Sequence, residues 1–181
     1  MISTKNIENL SGDKVEIAKI WKLLAEVNDP EVPVLSVLDL GIIRDVIAEP
    51  IPLKNNFQFT IIITPTYSGC PAMDIISMDI KFKLIENGYK NVKTVTVLSP
   101  AWTTDWMTEE GKEKLAAYGI APPNPKQLVC NNSLFAEAEA IQCPICKSYN
   151  TRLVSQFGST PCKALYQCKA CEEPFDYFKC H

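Results

Sequence analysis

From Asp13 onward, apolar residues fall at Ile17, Ile20, Trp21, Leu24 and Val27, the three-and-four spacing of a single helix face. Asp13, with Glu16 three residues on, reads as a capping box in which Asp takes the place of the usual Ser or Thr. The helix is expected to stop ahead of Pro30, because the residue before a proline avoids the α region. The loop Asn28-Asp29-Pro30-Glu31-Val32-Pro33 then leads through Ser36-Val37-Leu38-Asp39-Leu40-Gly41 into a different pattern. Gly41 to Glu49 and Asn56 to Thr64 are rich in Ile and Phe; in the second, Phe57, Phe59, Ile61 and Ile63 alternate and share one face of a sheet. Helical spacing returns from Pro71 to about Asn87, with Ile76, Ile80 and Leu84 inward and Gly88 as the C-terminal stop. Asn91 to Leu98 reads as a third strand with Val95 and Val97 on one side. After Ser99-Pro100, the aromatic segment Trp102-Thr103-Thr104-Asp105-Trp106 leads into a shorter helix ending at Tyr118-Gly119.

Ala121-Pro122-Pro123-Asn124-Pro125 cannot continue a helix and marks a stiff boundary. The order helix, strand, strand, helix, strand predicts an α/β (α+β) compact sandwich, a small sheet with helices, over residues 1–120. A linker is expected over 121–140 and a small cysteine-rich module over 141–181.

Of the chain's 181 residues, 46% are apolar and 22% charged, a soluble globular composition, and no apolar run approaches the roughly 20 residues that a membrane helix needs. The first twenty residues are interrupted by charges and carry no apolar signal core, so a cytoplasmic location is expected. The formal charge of −3 argues against general nucleic-acid binding, which needs clustered Lys and Arg. Residues 1–140 hold 13 basic and 18 acidic groups and residues 141–181 hold 5 and 3, an asymmetry that fits two modules.

Cysteine changes the picture most. Six of the 8 lie in the last 39 positions: Cys143, Cys146, Cys162, Cys168, Cys171 and Cys180. In a reducing compartment such clustering points to metal or catalysis more than to disulfides. Cys143-x-x-Cys146, 21 residues, then Cys168-x-x-Cys171 presents two pairs of thiolates that can close on one tetrahedral ion, as in a zinc ribbon. About 40 residues build too small a core to fold unaided, so a structural metal is expected. Zinc is the default, while iron and iron–sulfur clusters accept the same four thiolates. Cys162 and Cys180 are additional thiols, either small buried hydrophobes or a second pair able to meet a metal. The roles of Cys130 and of His181, the only histidine, stay open.

Cys70, between Gly69 and Pro71, follows a strand and opens a helix. With Pro71 in the first helical position, Cys70 becomes the N-cap, and the helix dipole is expected to lower its thiol pKa. It is a candidate nucleophile or soft-metal ligand. Asp39, set among Leu38 and Leu40, is either a cap or a partner to Cys70. A Cys–His hydrolase is not supported, because the one histidine ends the sequence, and no glycine-rich phosphate loop is present. Trp102 and Trp106, four residues apart, read as core or as a partner-docking pair.

These residues also carry a resemblance. Asn28 to Pro33, Ser36 to Gly41 and Thr64-Pro65-Thr66-Tyr67-Ser68-Gly69-Cys70-Pro71 are similar to the SufT-like iron–sulfur assembly domain. Pro100 to Trp106, Phe157 to Leu165 and Pro174 to His181 resemble the PaaD family of phenylacetate-degradation proteins. The resemblance implies an accessory or maturation role for the iron–sulfur or di-iron centre of phenylacetyl-CoA epoxidase, whose oxygenase subunit is a di-iron protein and whose reductase carries an iron–sulfur cluster. It implies a reactive or transient metal-binding thiol at Cys70 with its loop acid at Asp39, and ribbon ligands at Cys143, Cys146, Cys168 and Cys171. The implied partners are the epoxidase subunits and the iron–sulfur assembly machinery, and the implied cofactors are zinc in the ribbon with transient iron or an iron–sulfur cluster. The chain is expected not to be the oxygenase itself, since it has no helix with Glu-x-x-His motifs to hold a di-iron site. The alternative is a structural, non-catalytic subunit that docks through its ribbon.

Overall fold

A computed structural model describes residues 5–52, 56–123 and 141–179, with side chains from residue 13 onward. Cys130, Cys180, His181 and most of the expected linker lie outside the described residues.

The first module is α1 (Lys5–Leu24), β1 (Ile43–Pro50), β2 (Phe57–Ile63), α2 (Ala72–Glu86) and β3 (Val92–Thr96). It continues through a 3-10 turn, Thr104–Trp106, into α3 (Glu109–Tyr118). The sheet order is β1-β2-β3, antiparallel between β1 and β2 and parallel between β2 and β3, with α2 as the crossover that a parallel pair requires. Helices α1 and α2 pack on each other and on the sheet. Between them lie Ile20 and Leu24 of α1, Phe59, Ile61 and Ile63 of β2, and Ile76, Ile80 and Leu84 of α2, all buried. Each such side chain contributes roughly 1.5–3 kcal/mol on full burial. The period-two face expected of β2 and the inner face expected of α2 are both present.

Helix α2 ends as its sequence implies. Gly88 takes φ +92°, its amide bonds the Ile85 carbonyl, and the Tyr89 amide bonds that of Leu84, a Schellman arrangement one residue past Asn87. The outward positions Ile75, Met78, Phe82 and Ile85 are also apolar and half exposed, so α2 is greasy on both sides. Helix α1 begins well before Asp13, so the expected capping box lies inside the helix. Glu16 does not reach back to a cap; it accepts hydrogen bonds from Lys19 and, 2.8 Å away, from the Tyr89 hydroxyl.

The second module is a three-stranded antiparallel sheet in the order β4-β5-β6: β4 (Thr151–Ser155), β5 (Lys163–Cys168) and β6 (Pro174–Phe178). It joins the first module at two places. Ala121 bridges to Tyr177: its amide bonds the Asp176 carbonyl at 2.8 Å, and its carbonyl accepts from the Phe178 amide at 2.9 Å. Phe178 and Cys162 are buried in the core of the first module, not in that of the ribbon, and the Phe178 ring meets Trp102 edge-on at 6.3 Å. Among the described residues no helix is long and apolar enough to cross a membrane.

Candidate functional site

The four ribbon cysteines converge. Cys143 and Cys146 lie on one turn, Cys168 and Cys171 on the other, and their sulfurs all fall within 4.8 Å of one another. Cys143 and Cys171 are 3.8 Å apart, Cys146 and Cys168 3.5 Å. These are not disulfide distances. A tetrahedron with zinc–sulfur bonds near 2.3 Å has edges of about 3.8 Å, so the donor set fits zinc in both chemistry and spacing. The two turns share a device: the residue after the second cysteine, Lys147 in one and Glu172 in the other, takes a left-handed φ, 63° and 66°. That reversal carries the chain away from the sulfurs, and within the second turn the Ala170 amide donates to the Cys168 sulfur at 3.4 Å. The Cys171 and Ala170 amides lower the Cys168 thiol pKa against burial, while at Cys171 the Glu173 amide is outweighed by burial and the neighbouring thiols, which raise the pKa.

Cys70 sits at the head of α2, as expected, but its surroundings differ. Pro71 has helical dihedrals and occupies the cap position, so Cys70 lies one residue outside it. The thiol pKa is raised, not lowered. Burial is the main cause, and the carboxylates of Glu31 and Asp29 add to it; the Ala72 amide and the Tyr67 hydroxyl pull the other way and do not prevail. The helix terminus acts as the sequence implies, and burial, with two acids from a distant loop adding to it, overrules it. Asp29 is itself buried, accepting the amides of Glu31 at 2.8 Å and Val32 at 2.7 Å. Burial lifts its pKa while those amides resist.

Tyr67 completes the rim. Its hydroxyl is buried without a hydrogen-bond partner of full geometry, and burial together with the neighbouring Cys70 pushes its pKa up to about 12. Cys162 and Lys163, at the start of β5, enter the same neighbourhood from the ribbon: Glu31 and Asp29 act on Cys162, and Lys163 acts on both acids. Lys163 is 4% exposed, with Asp176 as its ion-pair partner at 3.7 Å. Around Cys70 the Tyr67 phenol is a direct neighbour, and the carboxylates of Glu31 and Asp29 act on Cys70 and on Cys162 electrostatically. Sequence reasoning quoted Asp29, Glu31 and Tyr67 only as parts of motifs, and Lys163 carried no signal beyond its place beside Cys162.

Asp39 does something else. Its Oδ2 accepts the Ser36 amide, the Ser36 hydroxyl and the Lys114 ammonium, each at 2.9 Å, and its Oδ1 accepts Thr108 Oγ1 at 3.2 Å. The Thr108 amide bonds the Asp39 carbonyl, and Thr108 in turn caps α3 through the Gly111 amide. Asp39 is thus a bracket between the 36–41 turn and α3, and Cys70 is not among its hydrogen-bond partners. Trp102 is 3% exposed and donates from Nε1 to the Leu40 carbonyl at 2.9 Å, which makes it core and unavailable for docking. Trp106, partly buried under the Arg44 guanidinium at 3.5 Å, keeps some surface.

Comparison with known proteins finds two family matches along the chain. Residues 17–97 match the family described as iron-sulfur cluster assembly protein, and residues 129–179 match the PaaD zinc beta ribbon domain. The chain is 46% identical over 165 residues to a protein of Escherichia coli (strain K12) described as a subunit of a "Putative 1,2-phenylacetyl-CoA epoxidase", covering 91% of this chain and 93% of the relative. It is 36% identical over 97 residues to the Fe-S protein maturation auxiliary factor of Porphyromonas gingivalis, covering 53% of this chain and 87% of that protein. The crystal structure of the domain of unknown function DUF59 from Bacillus anthracis aligns with a TM-score of 0.52 at 26% identity, covering 59% of this chain and 96% of that one.

Proposed function

The chain belongs to the PaaD family, together with the Escherichia coli epoxidase subunit, and from that premise we propose that it is a non-catalytic maturation factor for a metal centre of the epoxidase. The observation that carries the reading is the fusion itself: an iron–sulfur assembly module with a partly exposed Cys70, and a four-cysteine ribbon docked on that module's core. In this reading Cys70 takes iron, or the iron of a small cluster, transiently and yields it to a di-iron oxygenase or an iron–sulfur reductase. Cys143, Cys146, Cys168 and Cys171 would hold zinc, which shapes the ribbon and supplies no step of the transfer.

The electrostatics around Cys70 favour metal over covalent chemistry. A nucleophilic cysteine needs its thiolate ready at neutral pH, whereas burial, Glu31 and Asp29 keep this one protonated. A thiophilic cation displaces that proton on binding. Once iron is bound, the same two carboxylates offset its positive charge. Asp39, expected to work beside Cys70, takes a supporting part only: it holds α3 and the 36–41 turn in place.

The test is a deletion strain lacking its own homologue, complemented with wild type or Cys70→Ala, and assayed for growth on phenylacetate and for iron in the purified epoxidase. The reading expects Cys70→Ala to leave epoxidase protein present but poor in iron and growth lost. The alternative, a structural subunit docking through the ribbon, is favoured by the subunit designation of the Escherichia coli relative. It expects stoichiometric co-purification with the complex and full growth with Cys70→Ala.

A further inference from the structure

A cavity of about 570 Å³, within the range of small-ligand sites, is lined by α1, the start of β2 and the turn after α2. Cys70 precedes the other end of α2, a helix of 15 residues and therefore about 22 Å long. Neither Cys70 nor any ribbon residue lines the cavity. Its wall is aromatic. Phe59 is buried, and the half-buried rings of Phe57 and Tyr89 lie 6.1 Å and 5.3 Å from it, Tyr89 edge-on. The Tyr89 hydroxyl donates to Glu16 at 2.8 Å, which fixes that ring.

Charge sits on the same lining. Glu16 is already matched: it accepts from Lys19 and from Tyr89, and the two contacts hold its carboxyl below the ordinary pKa. Lys22 and Lys90 are exposed and form no ion pair among the described residues. Two unbalanced ammonium groups thus stand beside an aromatic wall, in a chain whose formal charge is −3.

We propose that this cavity binds a small anion carrying an aromatic ring, the ring against Phe57 and Tyr89 and the anionic group held by Lys22 and Lys90. A planar ring gains from offset or edge-on packing on such a wall, and ammonium contacts to carboxylate or phosphate are charge-assisted. An anion without a ring leaves the wall unused, and a neutral ring leaves both ammonium groups uncompensated. Two sources supply this chemistry: an aryl carboxylate, and the purine phosphate of a nucleotide or nucleotide-bearing cofactor. The site is separate from the iron transfer assigned to Cys70 and stands or falls without it.

The test is equilibrium dialysis of the full-length protein at low ionic strength against labelled phenylacetate and, separately, labelled adenosine monophosphate. At least one probe is expected to bind at one per chain; phenylacetate alone identifies an aryl carboxylate site, and the nucleotide alone a purine phosphate site. Lys22→Gln combined with Lys90→Gln should weaken that binding by at least about ten-fold, because both charge-assisted contacts are lost. Both lysines are exposed, so the variant is expected to keep the wild-type thermal midpoint. Phe57→Leu should weaken binding by about three-fold or more. Binding of neither probe, or binding unchanged in the lysine variant or in Phe57→Leu, overturns the proposal. Displacement of the probe by inorganic phosphate at equal concentration overturns it too, since charge alone would then be recognised.

Discussion

Asp39 lies among apolar neighbours, yet it keeps its charge. Burial works against the carboxylate, but the Ser36 amide and the Lys114 ammonium outweigh it and hold the pKa below the ordinary value. A depressed carboxyl stabilises the fold above its unfolded pKa, near 3.9, and that stability is lost as pH falls through the lower folded value. Asp39→Asn should therefore be less stable than wild type by about 2 kcal/mol in urea at pH 7, and the gap should shrink once pH drops below about 4. Gly41 makes a second demand at the same turn. Its φ is +65°, and a β-carbon there would collide with the Trp106 carbonyl. Gly41→Ala should lower the urea midpoint by the equivalent of about 2–3 kcal/mol, well beyond the effect of a surface substitution. Sequence pattern singled out Asp39 and Cys70 because each is a polar or reactive residue in an unusual local setting. It misjudged the Cys70 thiol because the burial that raises its pKa is set by tertiary packing, and the acids that add to it, Glu31 and Asp29, stand about forty residues upstream.

Elements set by local chemistry were legible. The end of α2 at Gly88 and the alternating face of β2 follow from residues within a turn or two, and the ribbon follows from the fixed Cys-x-x-Cys spacing. The start of α1 was not: the helix runs from Lys5 through the Asp13–Glu16 pattern that read as its cap. The aromatic segment left core and a docking pair both open; 104–106 is a 3-10 turn, and Trp102, which precedes it, is core. At this scale the ribbon strands β4, β5 and β6 should depend on metal. Stripping zinc with a strong chelator is expected to erase their slow-exchanging amides while those of β1–β3 persist. Persistence of protection across the ribbon after verified zinc loss would mean that the strands fold without metal.

The arrangement of the whole molecule was least legible, because nothing in a linear pattern says that one module's last strand completes another's core. Phe178 is 2% exposed, against Trp102, and Ala121 adds a bridge to β6. Phe178→Ala should cost about 3–5 kcal/mol and, by freeing the ribbon, split one unfolding transition into two. The docking also buries Cys162 in the core against which Cys70 packs. The central claim is that Cys70 hands iron to the epoxidase. It is tested most directly by loading the anaerobic protein with labelled iron, mixing it with iron-free epoxidase and measuring label and activity in the re-isolated enzyme. The account predicts transfer from wild type and none from Cys70→Ala; equal transfer from both would contradict it.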